Sequence, residues 1–248
     1  MISTILNATL GTILNAAGIL LGGVLGLTRR RALPAASEAF FKIAVGAFLV
    51  FYGLRLTWLS LHGSFSQILK QILIVVMALI VGKLAGRLLR LQKVSNRIGR
   101  SARERMMAAK PDDPRRSSQG FKTCAALFCA APLGILGALQ DGLSGYFYPL
   151  AVKGVIDGLA TRGFVPLFGW GVILSAVPVI AFQGSIALLA SQFLAPFLRA
   201  HALLDSVNAT SGLLVFCVAL VILEIKKFEL ADYLPSLAFA PLITSLWR

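Results

Sequence analysis

The sequence predicts an all-α fold: a polytopic integral membrane bundle of about seven to eight membrane segments, one or more of them broken or re-entrant. Three observations lead there. Hydrophobic residues fill 57% of the 248 positions and charged residues only 14%, with a mean hydropathy of +0.82, too apolar for a core inside a water-soluble shell. Several runs reach the about 20 apolar residues that a helix needs to cross a bilayer. The polar breaks between them are short, so one transmembrane domain over 1–248 is the simplest expectation, with a basic cytoplasmic loop at about 92–121. The lipid bilayer is the first partner expected.

The net charge of +14 would fit nucleic-acid binding in a soluble chain, but the basic residues stand beside apolar spans, where retention on the cytoplasmic side explains them. No nucleic-acid partner is expected. Cys124, Cys129 and Cys217 sit inside apolar runs and read as buried thiols rather than a disulfide framework or metal site. No cofactor is implied.

The first span is expected at 5–27. A cleavable signal carries positive charge before its apolar stretch, whereas Arg29, Arg30 and Arg31 follow it, so this segment is expected to remain as a helix. Its glycines, at three- and four-residue spacing, let another helix approach closely. Asn15 lies on it, as an interhelical hydrogen bond or a ligand contact. The arginine cluster, ended by Pro34, belongs inside by the positive-inside rule, which puts the amino terminus outside. A second helix at 41–59 runs outward and a third at 68–89 returns.

From Arg87 to Lys122 eleven basic residues face only Glu104, Asp112 and Asp113, the strongest mark of a cytoplasmic segment. Arg90, Lys93, Arg97 and Arg100 share one helical stripe and Leu91, Val94 and Ile98 another. This pattern suits either a helix lying on anionic lipid headgroups or a solvated topogenic loop.

A fourth span at 123–139 delivers Gln140 and Asp141 to its outer end. The stretch 141–163 is too polar to span and too apolar for an ordinary loop; a short helix near 150–159 is expected there. The apolar run 164–198 is too long for one span and short for two. Pro178, Gln183, Gly184 and Ser185 near its middle predict a broken helix or a hairpin inside the membrane. Further helices are expected at 207–224 and 230–247. AFLVFYGL (47–54) and GLLVFCVAL (212–220) echo one another, a hint of an internal repeat.

Four pieces carry a resemblance: GTILNAAGILLGG (11–23), LQDGLSG (139–145), KGVIDGLA (153–160) and SAVPVIAFQGSIALLAS (175–191). Together and in this order they resemble the bacterial inner-membrane family catalogued as domain of unknown function 554. The resemblance implies an integral protein of the bacterial cytoplasmic membrane and implies no activity.

Candidate site residues follow from the cost of polarity in a bilayer. Lys153 and Asp157, four apart, face one side of a helix, as a structural pair or as part of an ion or proton site with Asp141 and Gln140. Asp141 before Gly142 also fits a capping turn. If a helix restarts at Gly184, its first amides, with Gln183 and Ser185, form a substrate contact; otherwise these residues mark a satisfied kink. Asn208, Thr210 and Ser211 complete that site or cap their own helix, and Asn15 joins it from the first span. Motifs for hydrolysis, phosphate binding or metal chemistry are missing, so no enzyme is expected. The expected function is a transporter or channel for a small ion or polar metabolite; the alternative is a membrane scaffold or regulatory protein that binds a partner or anionic lipid. The glycine faces permit a homodimer.

Overall fold

The computed structural model describes residues 2–28, 34–110 and 112–247, without the side chains of residues 2–4. The Arg29–Arg31 cluster lies outside the described residues. Every regular element among them is helical: α1 (Ile2–Ala8), α2 (Leu10–Thr28), α3 (Ala35–Leu59), α4 (Phe65–Leu88), α5 (Leu91–Met107), α6 (Arg116–Ala130), α7 (Pro132–Ser144), α8 (Tyr148–Phe168), a 3-10 turn (Trp170–Ser175), α9 (Ala176–Leu189), a π turn (Ala190–Leu194), α10 (Ala195–Ala200), α11 (Leu204–Ile222), α12 (Leu230–Tyr233) and α13 (Ser236–Leu246).

Among the described residues five stretches are long and apolar enough to cross a membrane: Leu10–Thr28, Ala35–Leu59, Phe65–Leu88, Trp170–Ala200 and Leu204–Ile222. A sixth is added if α6 and α7, bent by 59°, count as one span. The expectation of seven to eight is therefore too high. The run 164–198 supplies one span of 31 residues, Trp170–Ala200, rather than two. At the carboxyl end Pro235 separates α12 from α13, leaving two short pieces.

Prolines and glycines place the breaks, though 178–185, where the sequence predicts one, is continuous. Pro132 begins α7, and Ala131 before it is extended (φ −63°, ψ 123°). A residue preceding proline is pushed out of the helical region, which gives the bend between α6 and α7. Gly169, at φ 75°, ends α8 with a backbone that L side chains rarely adopt. Pro178 is the third residue of α9. Amides of a first helical turn have no partner within the helix, so proline is tolerated there, and α9 passes through Gln183, Gly184 and Ser185 without interruption. No helix restarts at Gly184. The helix expected at 150–159 is also longer: α8 has 21 residues, opening with Pro149 in its first turn.

The chain forms two compact units, each built from two separated stretches: Met1–Pro34 with Val94–Ala190, and Ala35–Lys93 with Ser191–Arg248. In the first, α2 and α8 pack over most of their length. A Cβ placed on Gly18 would overlap the Gly154 backbone, and one on Gly22 the Gly158 backbone, a small-residue contact of the kind that joins membrane helices. Ala16 and Ile19 of α2 continue into an apolar cluster with Cys124, Phe128, Val165, Phe168, Val172, Ala176 and Val179.

In the second unit α3 packs on α11, and α4 on α12 and α13. Gly53 meets Gly212 and Phe216 backbone, and Thr57 Oγ1 donates to the Ala209 carbonyl at 3.2 Å. The two echoing segments thus lie on helices that pack on one another. The amide of Gln92 donates to Asp232 Oδ1 (2.8 Å), fastening the start of α5. Arg90, expected on the basic stripe, lies instead in the turn before α5 at φ 56°.

Large apolar side chains cover the outside: Leu20, Leu21, Val24 and Leu25 on α2, and Leu73, Val76, Met77, Ile80 and Leu84 on α4, are all exposed. Lipid is the solvent such faces fit.

Gly22→Ala drives a methyl group into the Gly158 backbone and should destabilise the protein by about 1–3 kcal/mol. Gly99→Ala on α5, where a Cβ meets nothing within 4 Å, should be neutral or stabilising by about 0.5–1 kcal/mol. Thermal melts in detergent followed by circular dichroism compare them; equal melting temperatures would refute the close approach.

Candidate functional site

The first unit buries its polar residues together. On α2, Gly11, Thr12 and Asn15 lie on the buried face. The last two turns of α7 bring Gln140 and Asp141, both 0% exposed. On α8, Lys153 and Asp157 stand one turn apart, both buried, and α9 supplies the buried Gln183.

Asp141 Oδ2 accepts hydrogen bonds from the amides of Gly11 (2.8 Å) and Thr12 (3.4 Å). These amides belong to the first turn of α2, where the chain resumes its helix after Thr9, and first-turn amides need an outside acceptor. A carboxylate there also complements the helix dipole. The sequence predicts that Asp141 caps the segment following it or binds a cation; its carboxylate instead caps a helix 130 positions earlier, with its second oxygen uncommitted.

Lys153 Nζ pairs with Asp157 Oδ2, both side chains buried, as i,i+4 spacing on a helix permits. The Phe128 ring lies 5.7 Å from Lys153 Nζ, close enough for a cation–π contribution. Asn15 Nδ2 donates to Gln183 Oε1 at 3.0 Å. Gly134 of α7 completes the enclosure. A Cβ there would meet Lys153 Cε at 2.9 Å and Gln183 Nε2 at 3.0 Å, so glycine at this position lets both side-chain ends reach it without shifting.

The cluster does not close on itself. Thr12 Oγ1, Asn15 Oδ1, Asp141 Oδ1 and Gln183 Nε2 are buried with no hydrogen-bond partner among the described residues. Each such group costs about 1–3 kcal/mol when nothing satisfies it.

Of the residues expected at the site, Asn15, Gln140, Asp141, Lys153, Asp157 and Gln183 occupy this buried region. Gly184 is buried in α9 but offers no free helix end; its place for a Cβ lies 3.9 Å from the Thr12 methyl. Ser185 is exposed and returns its hydroxyl to the Ala181 carbonyl (2.6 Å), because about 100° of helical rotation per residue carries it two residues away from the face of Gln183. Asn208 and Thr210 belong to α11 of the second unit, beyond its first turn, so they do not cap it; Thr210 Oγ1 donates to the Ser206 carbonyl at 2.7 Å. Sequence reasoning missed Thr12 and Gly134. Thr12, three residues before Asn15 and next to Gly11, was within reach of the helical periodicity. Gly134 was not, since its role depends on a contact between distant helices.

Lys153→Met leaves Asp157 buried without its cation and should cost about 3–5 kcal/mol, most of which Lys153→Met/Asp157→Leu should restore. Melting temperature and folded yield by size-exclusion chromatography measure both. A double variant no more stable than the single one would contradict this account of the pair.

A family model described as "Protein of unknown function (DUF554)" matches residues 10–245. The chain is 27% identical over 233 residues to "Uncharacterized membrane protein YdfK" of Bacillus subtilis (strain 168), covering 94% of each chain. It is 26% identical over 247 residues to "Uncharacterized protein YqgA" of Escherichia coli (strain K12), covering 96% of this chain and 97% of that one. No solved structure matches.

Proposed function

The chain belongs to the family described as "Protein of unknown function (DUF554)", and since that description assigns no activity, we propose one from the polar centre of this multi-pass membrane protein: it is a transporter or channel for a small ion or polar metabolite. The observation that carries the proposal is the open hydrogen-bonding capacity of Thr12, Asn15, Asp141 and Gln183, contributed by three helices and buried beside an ion pair. A polar network kept only for structure gains most when every member is satisfied. Four unsatisfied atoms in lipid-embedded helices are better explained by a polar guest.

In this reading the protein sits in the bacterial cytoplasmic membrane with its amino terminus outside. The exposed Arg97, Arg100, Arg103 and Arg105 of α5 lie on the cytoplasmic side against anionic lipid headgroups. Those same arginines favour a second reading, a scaffold or regulatory protein that holds lipid or a partner through α5. Replacing all four by glutamine separates the two: a transporter keeps its flux, whereas a scaffold loses its lipid or partner.

Flux into proteoliposomes across a panel of ions and small polar metabolites tests the first reading. Gln183→Leu should lower the transported solute's flux at least about tenfold, roughly the 1.4 kcal/mol of one lost polar contact. Ser185→Ala should stay within about twofold. Folded protein that moves no solute in the panel would overturn the proposal.

A further inference from the structure

The transport reading leaves its guest open, and the charges around Asp141 narrow it. Lys153 neutralises Asp157 within their own pair, so among the described residues of this cluster one carboxylate, Asp141, remains without a cation. Its described neighbours offer none. The described part of α2 and all of α9 carry no charged residue, and Lys122 of α6 is exposed. Arg162 of α8 packs beside Gly26, fifteen residues along α2 from Gly11 and so about 22 Å away. Two amides hold Asp141 Oδ2, but they supply dipoles rather than a full charge, and an isolated charge is expensive at such depth.

The uncommitted atoms of Asp141 and of the neighbouring turn of α2 are oxygens. Asp141 Oδ1, Thr12 Oγ1 and Asn15 Oδ1 are all buried without a partner among the described residues. Asp141 hydrogen-bonds the Thr12 backbone itself, and Thr12 and Asn15 stand one turn apart on the same face of α2, about 5 Å. The amide nitrogen of Asn15 is committed to Gln183, which leaves its carbonyl oxygen as the uncommitted end. A proton would serve only one of these oxygens. Carboxylate, hydroxyl and amide oxygens together are the ligand set of a hard metal cation. A single uncompensated carboxylate matches a charge of +1, and among the described residues no three His, Cys, Asp or Glu gather as a divalent site would require.

We propose that Asp141, Thr12 and Asn15 form a binding site for an alkali-metal cation, which is either the transported ion or the ion that drives a second solute past Gln183. The inference deepens the transport reading and rests on it for its purpose.

Melting of the purified full chain in detergent, titrated with sodium, potassium or lithium chloride at ionic strength held constant with choline chloride, tests it without any flux. At least one alkali cation should raise the melting temperature saturably. Asp141→Asn should abolish the response, and Thr12→Val should raise its midpoint about tenfold, the loss of one ligand contact, while Ser185→Ala leaves it unchanged. If Asp141→Asn yields no folded protein, Thr12→Val decides. Equal behaviour in every salt, a response untouched by these variants, or a response to pH alone that Asp141→Asn removes would overturn the cation site. Flux that persists in choline with no saturable melting shift would refute this site and leave transport standing; an Asp141-dependent shift in a protein that moves nothing would do the reverse.

Discussion

The contact on which the first unit depends is the approach of α2 to α8 through backbone rather than side chains. Where Gly18 faces Gly154 and Gly22 faces Gly158, the helix axes come close enough for one backbone to lie on the other. Gly154 also abuts the Asn15 backbone, which sets Asn15 against the stretch of α8 that carries Lys153 and Asp157. A larger side chain anywhere along this seam would separate the amide from the ion pair. The same contact that packs the helices thus positions the polar groups.

Around this seam part of the buried charge and polarity has a particular counterpart. The Lys153 and Asp157 charges are paired, and Asp141 replaces the acceptors that the start of α2 lacks. Asn15 and Gln183 join α2 to α9. What distinguishes the centre from an ordinary buried network is that the satisfied half, ion pair and amide cap, leaves a second half of oxygen acceptors and one amide donor still open.

Much of this was legible in the sequence. Apolar runs indicate the membrane class, because hydrocarbon length is a property of composition alone. The i,i+4 spacing indicates the Lys153–Asp157 pair, because helical geometry fixes which residues share a face. The positions of the breaks were less legible. Pro178 looks like a breaker in a long apolar run, yet whether proline disrupts depends on whether its missing amide was needed, and that depends on where the helix begins. Gly169 stops a helix while Gly154 and Gly158 lie inside the same one and pack against α2. Nothing in composition separates these two uses of glycine; only the neighbouring helix does.

The separation of partners along the chain has a consequence for synthesis. Asn15 waits 168 positions for Gln183, and the start of α2 waits 130 for Asp141. At about 5–20 residues per second, α2 exists for roughly 8–35 seconds before its last polar partner is made. During that interval its side-chain amide and its glycine groove have not yet met the helices they pack against in the finished fold.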